Sequence, residues 1–271
     1  TPRGEAAQQG TVACKLGETV TVSGQFFNLV AGVTIGDAET SYITVEEDQL
    51  TVSEDGKTLS FTLPAEAPDG DIDLICRSGV AIPVAILETI APTECTATPN
   101  PAKNGQPLSI SGKDLDVVAS IEMPNVSEAI EFNYNDGKIV IPAVPASAQE
   151  GNLVLRMANG KGVEVAYTLV KPTVTAYNPN PVSAGGALTI QGKDLDLVAS
   201  VLFGEGADVA EVAVAADGNS MTLTVPMNAA SGAPTLNLIN GATVEAPAIT
   251  VNEATFCYVK ELPGEDVEVK A

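Results

Sequence analysis

The stretch GKDLDVVASI, residues 112–121, returns as GKDLDLVASV at residues 192–201, with eight of ten positions identical. Two readings compete for a decapeptide written twice. Lys113, Asp114 and Asp116 are ionisable, and carboxylates two residues apart suit a cation or a catalytic role; the other reading is a building block of a repeated unit. Three landmarks favour the repeat. Asp-Gly stands at residues 55–56, 136–137 and 217–218, a proline follows at Pro64, Pro145 and Pro226, and a glycine at Gly70, Gly151 and Gly232, always 81 residues apart. A degenerate first copy, GQFFNLVAGV at residues 24–33, keeps the glycine, the large apolar residue (Phe27, matching Leu115 and Leu195) and the Val-Ala pair, but has no Lys and no Asp. A ligand set would be lost there while the apolar positions persist. The decapeptide therefore reads as a strand and turn that each of three modules needs, and Asp114, Asp116, Asp194 and Asp196 read as solvated turn carboxylates rather than a weak calcium site.

Composition agrees. A chain of 271 residues fits three small sandwiches of about 80 residues each. Aromatic residues make up 4% and Trp is absent, so the cores must be built from Val, Ile, Leu and Ala, a β-rich palette. Thirteen basic against 35 acidic residues give a net charge of −22, which repels nucleic acid and anionic lipid alike and keeps an exposed protein soluble. His is absent, which removes the usual general base and the commonest metal ligand. No catalytic residue, metal site or cofactor is expected. No stretch is long and apolar enough to cross a bilayer. The chain starts at Thr1 without Met or a signal peptide, so it reads as a mature or trimmed segment whose targeting signal or lipid anchor has been removed.

The four cysteines form no CxxC and have no His partner, which argues against zinc. Cys14 and Cys76 both belong to the first module and are expected either to bond across its two sheets or to stay reduced in its core. Cys95 and Cys257 sit at the starts of the second and fourth modules, too far apart in a linear array to pair.

Short runs with period-2 alternation, such as ALTIQG (187–192), SMTLTVP (220–226) and PTLNLING (234–241), read as strands, and Asp-Gly between two of them as a hairpin turn. FTLP, PAVP and LTVP each place a proline where a strand must stop. Residues 36–50 make the first module longer than the others, as an extra hairpin or a binding loop carrying Tyr42. The lead-ins APTECTATPNPAKNGQPLSISG (91–112) and KPTVTAYNPNPVSAGGALTIQG (171–192) share Pro-Thr, Pro-Asn-Pro and a glycine before an alternating strand. The expected layout is all-β: modules at 1–90, 91–171 and 172–252 in an elongated array, joined by short linkers at Pro92 and Pro172, with a rod length on the order of 90 Å. Residues 253–271 read as the start of a truncated fourth module, since GEDVEVKA from Gly264 matches GGALTIQG from Gly185, or as a C-terminal strand.

The order Pro, Asn-Pro, G-x-x-L-x-I-x-G, a large apolar residue three later and V-x-F-G (Val201 to Gly204) resembles the IPT/TIG immunoglobulin-like domain. Modules two and three match best; module one has no Asn-Pro pair, and module two carries Pro124 in place of the last glycine. Tandem modules of this kind in an acidic, His-free chain resemble the stalk of a Bacteroidetes surface glycan-binding lipoprotein, in the SusE/SusF-like position beside a SusC/SusD-type uptake system. That resemblance implies a non-enzymatic, lipid-anchored protein on the outer face of the outer membrane, reaching the membrane only through its removed anchor. It implies that polysaccharide is bound by a C-terminal domain outside this segment and that a SusC/SusD-type complex is a partner. The alternatives are an adhesin or other cell-surface interaction protein, and an accessory region of a glycoside hydrolase. Sugar rings stack on exposed aromatic faces, and with five Tyr and six Phe in the chain, only Tyr42, Tyr134 and Tyr177 are candidates for weak glycan contact.

Overall fold

The computed structural model describes residues 10–37, 39–252, 258–260 and 268–270; Cys257 lies outside them. Repeat 1 forms β1 (Gly10–Cys14), β2 (Thr19–Ser23), β3 (Val30–Asp37), β4 (Ser41–Glu46), β5 (Thr51–Val52), β6 (Thr58–Thr62), β7 (Gly70–Cys76) and β8 (Ala81–Thr89). They make two sheets, ordered β2-β6-β5 and β1-β8-β7-β3-β4. Repeat 2 forms β9 (Thr93–Thr98), β10 (Leu108–Lys113), β11 (Val118–Glu122), β12 (Asn133–Asn135), β13 (Lys138–Ile141), β14 (Gly151–Met157) and β15 (Gly162–Tyr167). Their sheets run β9-β10-β13-β12 and β11-β14-β15.

Repeat 3 forms β16 (Thr173–Asn178), β17 (Val182–Ser183), β18 (Ala187–Lys193), β19 (Val198–Leu202), β20 (Val209–Glu211), β21 (Ala213–Val214), β22 (Ser220–Thr224), β23 (Thr235–Leu238), β24 (Thr243–Glu245) and β25 (Val251–Asn252). Here β16-β18-β22-β21 faces β20-β19-β23-β24, and β17 joins β25 in parallel. In repeat 2 the first, second, fifth and fourth strands make one sheet and the third, sixth and seventh the other, which is the strand order of an immunoglobulin-like sandwich. The fold is all-β. A final antiparallel pair joins β26 (Tyr258–Lys260) to β27 (Glu268–Lys270).

Alternation supplies the cores. Ile35, Leu59 and Leu63 in repeat 1, Ile110, Ile139 and Leu153 in repeat 2, and Ile190, Leu195 and Val201 in repeat 3 have no exposed surface, each contributing roughly 1.5–3 kcal/mol by burial. The Asp-Gly pairs are hairpin turns between β5 and β6, β12 and β13, and β21 and β22, as expected. Positive φ at both turn positions, 50° at Asp136 and 74° at Gly137, lets the chain reverse in two residues. The longer stretch of repeat 1 is a hairpin too, β3 with β4, which widens its sheet to five strands.

Pro-Asn-Pro does not link modules. It stands where the chain leaves one sheet for the other, after β9 has paired with β10 and before the parallel bridge of Ala102 to Leu169, and again between β16 and β17. Pro92 and Pro172 are the residues just before β9 and β16. By contact density the chain divides within repeat 2: residues 1–100, 107–142 and 151–167 form one unit, while 101–106, 143–150 and 168–271 form the other.

The Cys14–Cys76 disulfide does not form. Both cysteines lie in one sheet, on strands flanking β8, and at its opposite ends: Cys14 pairs with Thr89, whereas the Cys76 amide donates to Val80. About eight residues of strand separate those ends, on the order of 26 Å, against the ~4.4–6.8 Å between Cα atoms that a disulfide spans. Cys14, Cys76 and Cys95 are free thiols. Burial, then the Glu18 carboxylate, pushes the Cys14 thiol above its ordinary pKa.

Candidate functional site

In the decapeptide, β10 ends at Lys113, Asp114 turns the chain with φ 57°, Leu115–Val117 make a single 3-10 turn, and β11 follows. Asp tolerates this left-handed conformation better than most residues. Asp194 repeats it in repeat 3, with φ 54°. Leu115 and Leu195 plug their cores at 2% and 0% exposure, which is the structural need that the apolar positions announced.

The carboxylates stand in turns and stay partly open to water, Asp116 at 45% and Asp196 at 44% exposure, but each pair also holds a lysine. In the first unit Lys15 Nζ lies 2.7 Å from Asp114 Oδ1 and 3.0 Å from Asp116 Oδ1. In the second unit Lys103 Nζ lies 2.7 Å from Asp194 Oδ1 and 3.0 Å from Asp196 Oδ1. An ammonium thus sits where a cation would be held, and the same clasp is made twice. Each lysine stands two residues before a turn glycine, Gly17 or Gly105, in the lead-in of the preceding repeat. Hydrogen bonds to Asp114 and then Asp116 hold the Lys15 ammonium well above the usual lysine range. For Lys103, burial favours the neutral form, but the hydrogen bonds to Asp194 and Asp196 outweigh it and the pKa is raised. With both lysines only 22–24% exposed, each clasp is worth on the order of 1 kcal/mol, at the upper end for surface pairs.

A second contact recurs at a spacing of 81. Asn159, in the turn between β14 and β15, donates from Nδ2 to the Ala67 carbonyl at 3.0 Å and to Thr89 Oγ1 at 3.1 Å, within the first unit. Asn240, in the turn between β23 and β24, donates to the Ala148 carbonyl at 3.1 Å, within the second. Ala67 and Ala148 occupy the same turn, closed by their amides onto Pro64 and Pro145. The prolines read from the sequence as strand terminators therefore also shape the acceptor. Around the first contact, Lys161 Nζ lies 2.6 Å from Asp69 and donates to the Thr89 carbonyl at 2.9 Å, while Asp69 accepts from the Thr89 amide and hydroxyl. At the second, Gln149 Nε2 donates to the Asn240 carbonyl at 3.0 Å, and Glu150 accepts from the Leu169 amide and pairs with Lys171 at 3.1 Å.

Lys15, Lys103, Asn159 and Asn240 are the residues that sequence reasoning missed. The signal was available: Asn-Gly at 159–160 and 240–241 keeps the 81-residue spacing, and Lys-x-Gly occurs in both lead-ins that precede an acidic decapeptide.

The three tyrosines stand on three different strands. Tyr42 is on β4 and 55% exposed, Tyr134 is on β12 and 44% exposed, and Tyr177 is on β16. Burial pushes the Tyr177 phenol up to about 12, and its hydroxyl donates to the Pro247 carbonyl at 2.6 Å, which leaves its ring half-covered. Two further hollows differ in kind. One of about 310 Å³ in the second unit is bordered by Glu150, Lys171, Asn240 and Thr243, with no aromatic residue. The other, about 480 Å³ in repeat 1, is bordered by Phe26, Leu29, Ile82 and Pro83.

No known family profile matches the chain. It is 25% identical over 252 residues to the contact site A protein of Dictyostelium discoideum, across 90% of this chain and 48% of that one. The chain thus spans about half the length of that curated relative. Among solved structures, one with a xylogluco-oligosaccharide is 20% identical, with a TM-score of 0.33, over 90% of this chain and 60% of that chain. A surface glycan-binding protein of a Bacteroides ovatus mixed-linkage glucan utilization locus, solved with a mixed-linkage heptasaccharide, is 15% identical, with a TM-score of 0.26, over 98% and 73%. The assignment of the fold rests on strand order and register within each repeat.

Proposed function

We propose that this chain is the immunoglobulin-like spacer region of a cell-surface glycan-binding protein that supports polysaccharide capture and uptake, with its sugar site outside residues 1–271. One observation carries the reading: two repeated sets of contacts, Lys on an Asp pair and Asn on an alanine carbonyl, recur where one repeat meets the next. Joints of this kind suit an arm that holds something else in place. The modules in this reading are residues 1–90, 91–171 and 172–252, of IPT/TIG type, with 253–271 opening a fourth. The protein is not an enzyme in this reading. It is lipid-anchored at the outer membrane of a Bacteroidetes cell and works beside a SusC/SusD-type complex. The half-covered Tyr177 ring, its hydroxyl bonded to the Pro247 carbonyl, supports it, since a sugar platform needs open aromatic faces.

Affinity electrophoresis of residues 1–271 against xyloglucan and mixed-linkage glucan tests the proposal. Retardation is expected to be weak or absent; strong retardation that Tyr42→Ala or Tyr134→Ala abolishes would place a glycan site within these repeats and overturn it. A second reading, an adhesin, is favoured by the similarity to the contact site A protein over 90% of this chain. Beads coated with the chain that clump with one another would support that alternative.

A further inference from the structure

We propose that the hollow of about 310 Å³ in the second unit binds a primary ammonium group on an aliphatic stem, the group that Lys161 supplies at the same place in the first unit. The two turns concerned are built alike. Asn159 Oδ1 accepts from the Lys161 amide at 3.1 Å and Asn240 Oδ1 from the Ala242 amide at 3.0 Å, while the Lys161 carbonyl accepts from the Met157 amide and the Ala242 carbonyl from the Leu238 amide. Residues 161 and 242 therefore leave their turns at equivalent positions. They differ in what they send out: a lysine in one turn and a bare methyl in the other.

What Lys161 touches has a counterpart as well. Its ammonium lies 2.6 Å from Asp69 and donates to the Thr89 carbonyl at 2.9 Å, and Asp69 accepts from the Thr89 amide at 2.8 Å. In the second unit Glu150 accepts from the Leu169 amide at 3.0 Å, so Glu150 and Leu169 stand for Asp69 and Thr89. Both border the hollow, together with Ala242, Leu238 and Val244, which offer an apolar wall to a hydrocarbon stem. The hollow thus lies where a lysine side chain would run, with a carboxylate at its end. The bond from the Leu169 amide, then Lys171, holds the Glu150 carboxyl below its ordinary range, so it is ionised at neutral pH.

Lys171 is the competitor. It pairs with Glu150 at 3.1 Å from the position that Ala91 holds before the preceding proline lead-in, and its side chain is 60% exposed. A pair so open to water contributes little, so a ligand that also buries its stem can displace Lys171 or share the carboxylate with it. The net charge of −22 draws cations to the chain and repels anions. No described aromatic residue borders the hollow, so a sugar ring has nothing to stack on there. The last strand of repeat 3, β25, is bonded to Ser231 at the other end of β23 from the Asn240 turn, away from the hollow.

Free amines and the lysine side chain of another protein share this chemistry. Amide NMR titration of the full chain with n-butylammonium chloride is the test, and saturable shifts are expected at Leu169, Gly241 and Ala242. Lys171→Ala, which removes the competitor, is expected to tighten binding about threefold. Ala242→Lys, which fills the hollow with the chain's own ammonium, is expected to weaken it roughly tenfold or more. Dispersion of the remaining amide peaks verifies that both variants fold. Titrations with cadaverine and with Nα-acetyl-lysine N-methylamide distinguish the sources: tighter binding of the first assigns a free amine, and of the second a protein lysine. Four results overturn the proposal: no saturable shift at the three amides; equal shifts with 1-butanol, which mean that the hollow takes any aliphatic chain; unchanged binding in Ala242→Lys, which means diffuse attraction to an acidic protein; or weaker binding in Lys171→Ala, which means that Lys171 holds the ligand instead of competing with it.

Discussion

In repeat 2, β10 has a neighbour on each side and its inward Leu108 and Ile110 are sealed; in repeat 1, among the described residues, β2 pairs with β6, and Val20 and Val22 remain partly open. The left-handed turn after each strand differs as well. Asp114 meets a lysine from the preceding repeat, whereas Phe26, with φ 64°, points an aromatic ring at solvent. Both repeats keep the same core plug, Phe27 or Leu115. The comparison separates what the sandwich requires from what its neighbours require: apolar alternation and the core plug belong to the fold, whereas charge at the turn belongs to the joint.

The largest effect that sharpens this comparison comes from truncating equivalent side chains. Ile110→Ala is expected to cost about 3 kcal/mol because the site is sealed, and Val22→Ala about 1 kcal/mol because part of its surface already meets water. Urea unfolding followed by amide exchange in each repeat measures both; equal losses would erase the distinction. The glycines come next. In Gly192→Ala the new Cβ would sit 2.0 Å from the Thr173 carbonyl, so backbone must move; in Gly24→Ala it would sit 2.7 Å from the edge of the Phe27 ring. A loss on the order of 2 kcal/mol is expected for the first and a smaller one for the second, by melting temperature.

A smaller effect is expected at the clasp. Lys103→Met keeps the apolar stem and removes the charge from between Asp194 and Asp196, costing about 1 kcal/mol at low salt. Thermal melts repeated in concentrated salt should show the difference shrink, since salt weakens the attraction in the parent and the Asp194–Asp196 repulsion left in the variant. The smallest concerns acid. Burial raises the Asp69 pKa, but the bonds from Lys161 and Thr89 outweigh it, so the carboxyl titrates below its ordinary value. A depressed pKa stabilises the fold fully above the unfolded value of about 3.9 and ceases to do so as pH falls through it. Asp69→Asn should flatten the fall in melting temperature over that window and leave the neutral-pH slope unchanged.

Much of the fold was legible because each landmark is local. Asp-Gly makes its turn within two residues, and the alternation of ALTIQG fixes its faces without reference to anything distant. The partners of Asp114 and Asp116 were hidden because Lys15 lies about a hundred residues upstream, and no local rule connects them. The same limit explains the cysteines. Nothing local in Gly10–Cys14 marks it as a strand or says which sheet it joins, and it joins the sheet that already contains Cys76.

The parallel pairing of each repeat's early strand with its last one has a mechanical consequence. A pull that enters at the start of β1 and leaves at the end of β8 drags two parallel strands in opposite directions along their length, so all their hydrogen bonds resist together instead of peeling one by one. Repeat 1 opposes tension with five residues in that arrangement, repeat 3 with two, and repeat 2 with the single bridge of Ala102 to Leu169. Under load the chain yields first in its middle repeat, and repeat 1 is the last to let go.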